Sequence, residues 1–158
     1  MKNKITRLSI TVFFILLLYF LGILTKEYVS KLSISNNLFS TCYITNTGCA
    51  FGMLQNNSYL LSVFGIIVFL LLLVHIYRSD NISKIEQTII IIFSSGALGN
   101  IVERISLGHV VDYIKFSFID FPAFNVYDVM ICTAVCLYCI SFFWDLKNEY
   151  KNNIKKLQ

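Results

Sequence analysis

Long uncharged stretches alternate with short charged ones along the chain, and this pattern predicts four membrane-spanning helices. Charged side chains are expensive at the centre of a bilayer, so the gaps between them mark the candidate spans. These gaps predict spans at about 8–25, 59–77, 87–102 and 129–144. The last two are shorter than the roughly 20 residues that cross a hydrocarbon core of about 30 Å. We therefore expect the flanking residues Glu103 and Asp128 to lie at or just inside the membrane interface.

The distribution of Lys and Arg predicts which side of the membrane each loop faces. With four spans, both termini lie on the same side. Positive charges are more numerous in the terminal segments and the 78–86 loop than in the loops at 26–58 and 103–128. Because Lys and Arg are enriched in cytoplasmic loops, we expect cytoplasmic termini. A cleaved signal peptide is the alternative to a retained first helix, but no small-x-small cleavage site follows the apolar stretch.

The composition fits one membrane-embedded domain over residues 1–158. The chain is 56% hydrophobic and 14% charged, whereas soluble domains carry roughly 25% charged residues. The net charge of +4 is too small and too scattered for a nucleic-acid-binding surface. We expect a monomer whose partners include membrane lipids.

The two outward loops carry most of the polar chemistry. Alternating apolar residues near 39–44 predict a short strand, and so do the β-branched and aromatic residues at 109–114 and 116–118. The sequence Asn-Thr-Gly at 46–48 predicts a turn. The predicted fold is a mainly α membrane protein, a four-helix bundle with a small extracytoplasmic β element.

Asp112 and Asp128 are predicted to reach one site at the outer interface, because the third span ends near Glu103 and the fourth begins near Asp128. Two carboxyl groups in a low-dielectric site cannot both ionise cheaply. One takes a proton from water while the other donates a hydrogen bond to a carbonyl group, as in aspartic proteases. The pair therefore predicts peptide hydrolysis without a metal ion or a nucleophilic side chain.

Two other functions stay open on the residues alone. A small transporter or channel subunit would use the interfacial acids as proton or ion sites, but such proteins carry ionisable residues deep within their spans. The predicted spans here contain no charge. A non-enzymatic scaffold leaves the paired acids without a role.

Four motifs at the outer face together resemble a known family. They read NTGCAFG at 46–52, GALGNIVER at 96–104, VVDY at 110–113 and FPAFNVYD at 121–128. In this order and with this layout of spans, the chain resembles the lipoprotein signal peptidase (signal peptidase II) family across nearly its whole length.

The resemblance implies a multi-pass aspartyl endopeptidase of the bacterial inner membrane, with a β-cradle above its four helices. Such an enzyme cleaves prolipoproteins just before the diacylglyceryl-modified cysteine, and we expect it to need no cofactor. The resemblance assigns Asp112 and Asp128 as the catalytic pair. The residues that match the family's substrate site are Asn46, Gly48, Asn100, Arg104 and Asn125.

Three positions depart from the family's usual pattern. Gly22 stands where an acidic residue is usual, and Glu103 replaces an Asp. Tyr127 replaces a small residue beside the second acid. None of these departures removes a proposed catalytic group.

The five cysteines do not predict a metal site. Cys132, Cys136 and Cys139 share one face of the fourth helix without a His or an acid, which is typical of small apolar packing residues. Cys42 and Cys49 both face outward, where a disulfide is chemically permitted. The sequence leaves that disulfide open.

Overall fold

A computed structural model describes residues 2–49 and 53–157, and within them the chain forms four helices and two strands. The helices are α1 (Lys2–Ser30), α2 (Ser58–Arg78), α3 (Lys84–Leu107) and α4 (Val126–Leu157). The strands are β1 (Phe39–Asn46) and β2 (Val110–Phe116). Each helix is long and apolar enough to cross a membrane. The predicted mainly α membrane fold with a small β element is confirmed, while positions 50–52 of the first motif lie outside the described residues.

All four helices extend beyond the spans predicted from the charge gaps, and several charged residues near the ends of α1, α2 and α3 have partners. Lys26 of α1 lies 2.7 Å from a carboxylate oxygen of Glu103 of α3. At the other end of the bundle, the Lys4 ammonium lies 2.6 Å from Asp80. The Arg7 guanidinium donates to carbonyl oxygens at the C-terminus of α2, which favours positive charge. Charge therefore marks where the hydrocarbon ends and not where the helix ends.

Helix α3 is the central element, and it packs against α1, α2 and α4. Its buried face includes Ser94, Ser95, Gly96 and Gly99. These small residues let neighbouring helices approach closely, as in other membrane bundles. The helix begins after the N-cap residue Ser83 and ends at Gly108, whose φ of 78° suits a glycine.

The two strands form an antiparallel sheet at the end of the bundle where α3 ends and α4 begins. The register pairs Phe39 with Phe116 at one end and Asn46 with Val110 at the other, and it shifts between Thr41 and Ile44. Because β1 precedes α2 and β2 precedes α4, the sheet lies over this end of the helices. Polar residues of both connections are thereby brought together.

The outer surface of the helices is apolar, as expected for contact with lipid. Large side chains such as Phe13, Phe64, Leu71 and Phe143 are each more than 60% exposed. A water-exposed surface of this kind would cause aggregation, whereas a bilayer solvates it. The chain is thus a multi-pass membrane protein.

Candidate active site

Asp112 and Asp128 lie on different elements that meet at one end of the bundle. Asp112 is in β2, paired with Ile44 of β1, and only 3% of it is exposed. Asp128 is in the first turn of α4. Between them, a bridge from Ile114 to Phe124 returns the chain alongside β2 before α4 begins. This return places the two carboxyl groups in one hydrogen-bonded network.

Asn125 joins the two acids, and it is 1% exposed. Its side-chain oxygen accepts hydrogen bonds from the backbone N–H groups of Tyr127 (2.8 Å) and Asp128 (3.1 Å). In return, the Asp128 carboxylate accepts from the Asn125 backbone N–H at 3.0 Å. This reciprocal arrangement is a capping box at the start of α4. The Asn125 amide nitrogen then donates to Asp112 over 2.9 Å, so one side chain fixes both acids.

Two further asparagines complete the hydrogen bonding of the pair. The Asn100 amide donates to Asp128 over 2.8 Å, and the Asn46 amide donates to Asp112 over 3.1 Å. The Asn46 side-chain oxygen also accepts from the backbone N–H of Gly48 at 2.9 Å. All four carboxyl oxygens of the pair therefore have a donor. The structure places the three predicted asparagines around the acids, and their contact with substrate stays a prediction.

Arg104 and Gly48 connect α3 to the turn after β1. The Arg104 guanidinium donates to the Gly48 carbonyl over 2.8 Å and to the Asn100 carbonyl over 3.4 Å. Its Nε–H is buried and has no partner in the part of the chain that the structure describes. A side chain at Gly48 would collide with the Met53 carbonyl oxygen, so this turn requires glycine.

The electrostatics of the site favour retention of a proton. Burial, together with the negative charge of Asp128, raises the pKa of Asp112 to about 6. Hydrogen bonds from Asn125 and Asn46 and the positive charge of Arg104 oppose this rise. Two coupled acids titrate as a pair, so the site holds one proton to a higher pH than a solvated carboxyl group would.

Glu103 has a defined structural role that explains its position at the interface. One of its carboxylate oxygens pairs with Lys26 at 2.7 Å, and the other accepts from the backbone N–H of Val111 at 2.8 Å. Val111 precedes Asp112, so Glu103 connects α1 to the strand that carries the first acid. Sequence reasoning missed Lys26. The available signal was its positive charge, which is opposite to that of Glu103 and lies at the same interface.

Tyr113 is a second residue that sequence reasoning missed. It is 1% exposed, and its hydroxyl oxygen accepts from the backbone N–H of Val126 at 3.2 Å. Burial raises its pKa to about 12, so the hydroxyl stays neutral. It satisfies a backbone donor at the start of α4. Tyr113 is the last residue of the VVDY motif at 110–113, but the sequence does not indicate which group its hydroxyl would contact.

Two of the three departures from the usual pattern belong to one contact. A β-carbon at Gly22 would lie 2.8 Å from Cζ and 3.0 Å from the hydroxyl oxygen of Tyr127. The tyrosine ring thus occupies the space that a side chain at position 22 would need.

The His, Cys, Asp and Glu side chains of the described residues bear on metal binding and on disulfide formation. Within residues 2–49 and 53–157, no group of three or more His, Cys, Asp or Glu side chains is arranged to hold a metal ion. Cys132, Cys136 and Cys139 are exposed on α4, and Cys42 and Cys49 are free thiols. The Cys42 thiol lies 3.8 Å from the Asp112 carbonyl oxygen.

The chain is similar to known proteins over most of its length. The profile of the family described as signal peptidase (SPase) II matches residues 11–144. A lipoprotein signal peptidase of Clostridioides difficile is 41% identical over 115 residues, which cover 71% of this chain and 75% of the relative. One of Chlamydia pneumoniae is 34% identical over 134 residues, which cover 83% and 80%. The chain belongs to the signal peptidase II family.

Solved structures support the same fold. A bacterial membrane enzyme determined by the in meso method at 2.3 Å has a TM-score of 0.79 and 23% identity, and the match covers 89% of this chain and 91% of that one. A second one, at 1.9 Å, has a TM-score of 0.72 and 22% identity over 85% and 92%. Membership of the signal peptidase II family makes the chain a protease, and the transporter or channel alternative is not favoured.

Proposed function

We propose that this chain is an aspartic endopeptidase that removes signal peptides from prolipoproteins and cleaves before the diacylglyceryl-modified cysteine. Asp112 and Asp128 are its catalytic pair. The observation that carries the proposal is the position of Asn125, which donates to Asp112 and caps the helix turn that holds Asp128. Two acids that are joined through one buried side chain are arranged for proton sharing.

The chemistry follows from one proton distributed over two carboxyl groups. The ionised carboxylate takes a proton from a water molecule, whose oxygen bonds to the scissile carbonyl carbon. The protonated carboxyl group donates a hydrogen bond to the carbonyl oxygen as negative charge develops there. When the C–N bond breaks, a carboxyl group protonates the leaving amine. No covalent enzyme intermediate forms.

The polar residues around the pair are proposed to hold the substrate as well as the acids. Arg104 is the main candidate, because its buried Nε–H still lacks a partner among the described residues. A backbone carbonyl of the bound peptide would satisfy this donor. The proposed substrate-binding residues are Asn46, Gly48, Asn100, Arg104 and Asn125.

The position of the site suits a substrate that is partly in the bilayer. Asp112 lies in the sheet over the helices, and Asp128 lies in the first turn of an apolar helix. A lipid-modified precursor would keep its acyl chains against the apolar helix surface, while its peptide bond reaches the polar end of the bundle. Such a substrate requires a site that opens sideways to the membrane.

Orientation follows from the ends of the helices. The start of α1 and the end of α4 lie at the opposite end of the bundle from the site, together with Lys4, Arg7 and Arg78. Because positive charge favours the cytoplasmic side, we place the termini in the cytoplasm and the site on the outer face of the bacterial inner membrane. We further propose that the protein acts as a monomer with a single domain over residues 1–158.

A cleavage assay with the purified protein in lipid nanodiscs tests the function. The substrate is a synthetic precursor peptide with a diacylglyceryl-cysteine, and the matched control peptide carries the same sequence without the lipid. We expect cleavage on the N-terminal side of the modified cysteine, identified by mass spectrometry, and unchanged rates with a chelator. Absence of cleavage, cleavage at another bond, or loss of activity with chelator would reject the proposal.

A further inference from the structure

The side chain of Tyr127 is buried in a slot that two glycines create. Tyr127 is 2% exposed. A β-carbon added at Gly22 of α1 or at Gly99 of α3 would collide with its ring. The slot exists only because both neighbouring helices lack side chains there, so the ring is enclosed between α1 and α3.

Tyr127 also makes directed contacts with α1. Its hydroxyl group donates to the backbone carbonyl oxygen of Tyr19 over 3.2 Å. The two rings are stacked, with centroids 6.2 Å apart and planes at 20°. Direct packing between α1 and α4 is sparse compared with packing between α3 and α4. This one side chain therefore provides a large part of the connection between α1 and the start of α4.

The backbone of Tyr127 belongs to the same turn as the second acid. Its N–H and that of Asp128 both donate to the Asn125 side-chain oxygen. Asn125 in turn donates to Asp112. A rotation of this turn would therefore shift Asp128 and Asn125 together, and it would change the separation of the two carboxyl groups.

We propose that Tyr127 is a positioning residue that holds Asp128 at the separation from Asp112 that proton sharing needs, and that Gly22 and Gly99 form its receptor. The inference rests on the proposed function, because it concerns the same acid pair. Tyr127 acts through Asn125 and Asp128. A misplacement of about 1 Å can cost about 100-fold in rate, so a lost anchor should appear mainly in kcat.

The proposal predicts a specific pattern among variants at positions 22 and 127. Tyr127→Ala lowers kcat by about 10- to 100-fold with little change in KM. Tyr127→Phe keeps the ring and should retain most of the activity. Gly22→Ala lowers kcat because its new β-carbon displaces the ring. In the double variant the ring is absent, so adding Gly22→Ala to Tyr127→Ala should not lower kcat further.

The pH profile separates a positioning role from a merely structural one. A wider separation of the acids weakens the repulsion that retains their shared proton. The alkaline limb of the activity profile should therefore move to lower pH in Tyr127→Ala and Gly22→Ala. Gly65→Ala is the matched control, because its β-carbon would lie 2.9 Å from the Ile101 side chain, in a different helix contact. Gly65→Ala should alter thermal stability without moving the alkaline limb of the activity profile.

The lipopeptide cleavage assay decides the question when Asp112→Asn is included. Folded Tyr127→Ala and Gly22→Ala with the wild-type kcat and alkaline limb would overturn the positioning role, while an inactive Asp112→Asn would leave the proposed function standing. Cleavage by Asp112→Asn would overturn both. If Tyr127→Ala does not fold, Tyr127→Leu and Gly22→Ala decide by the same criteria.

Discussion

The side-chain amide nitrogen of Asn125 lies 2.9 Å from a carboxylate oxygen of Asp112, and both residues are almost fully buried. The other end of the same side chain caps α4. The geometry of the acid pair thus depends on an amide whose nitrogen donates hydrogen bonds and whose oxygen accepts them. Substitutions that change one end at a time separate the two roles.

Asn125→Asp should lower cleavage by about 10- to 100-fold while the fold is retained. The new carboxylate still accepts from the backbone N–H groups at the start of α4, but it cannot donate to Asp112 and places a third negative charge beside the pair. Asn125→Ala should lose the cap as well and should be the less stable variant. Cleavage rates and thermal unfolding in detergent measure both effects.

Asn57 provides the control for this comparison. It is the N-cap residue of α2 but makes no side-chain capping hydrogen bond. Asn57→Asp and Asn57→Ala should leave both cleavage and stability close to those of the unsubstituted protein. Equal effects at positions 57 and 125 would contradict the assigned role of Asn125.

The dependence of kcat/KM on pH should have an alkaline limb with an apparent pKa of about 6, well above that of a solvated carboxyl group. Burial and the charge of Asp128 raise the pKa of Asp112, and the charge of Arg104 opposes them. The nearby Cys42 thiol, whose pKa burial raises, stays neutral in this range. As the pH rises through this value, the pair loses its shared proton. Because kcat/KM reports the free enzyme, the limb belongs to the unliganded pair.

The contribution of Asp112 to thermal stability should fall as the pH rises, because its pKa is raised in the folded protein. Between the ordinary pKa of 3.8 and about 6, the folded protein binds more protons at Asp112 than the unfolded chain does. The stabilising contribution of this group is therefore complete below that window and is lost as the pH rises through it. The unfolding temperature of Asp112→Asn, relative to the unsubstituted protein, should rise from pH 4.5 to 7.5. A constant difference would contradict the burial of an ionisable group there.

The Lys26–Glu103 pair should contribute measurably to stability. Its side chains are 25% and 12% exposed, and Glu103 also accepts from Val111. A double-mutant cycle of Lys26→Met and Glu103→Gln should give a coupling energy of about 1 to 2 kcal/mol. The matched control is the Lys31–Glu27 pair, whose side chains are 70% and 62% exposed. It should give less than about 0.5 kcal/mol, and equal couplings would contradict the role assigned to Glu103.

The sequence was sufficient for the class of fold and for the end of the bundle that carries the acids. Apolar gaps identify membrane helices, because the bilayer imposes their length and hydrophobicity. The order of elements then brings Asp112 and Asp128 to the same end. Helix bounds were less accurate, since Lys26 and Glu103 neutralise each other within the helices and do not end them.

The slot around Tyr127 was not predictable from the sequence. It depends on the absence of side chains at Gly22 and Gly99, and the approach of these glycines to the ring is a property of helix packing. The shift in strand register between Thr41 and Ile44 also has no sequence signal. Local patterns specify elements, whereas contacts between distant helices require the assembled bundle.

The most direct test of the central claim compares three Asp→Asn variants in the lipopeptide cleavage assay. Asp112→Asn and Asp128→Asn should each reduce cleavage by about 1,000-fold or more, with the helices still folded by circular dichroism. Asp120→Asn is the control, because Asp120 is a fully exposed acid of the same loop, 3.9 Å from Lys115, and it should cleave normally. Substantial cleavage by a folded Asp112→Asn or Asp128→Asn variant would contradict the account.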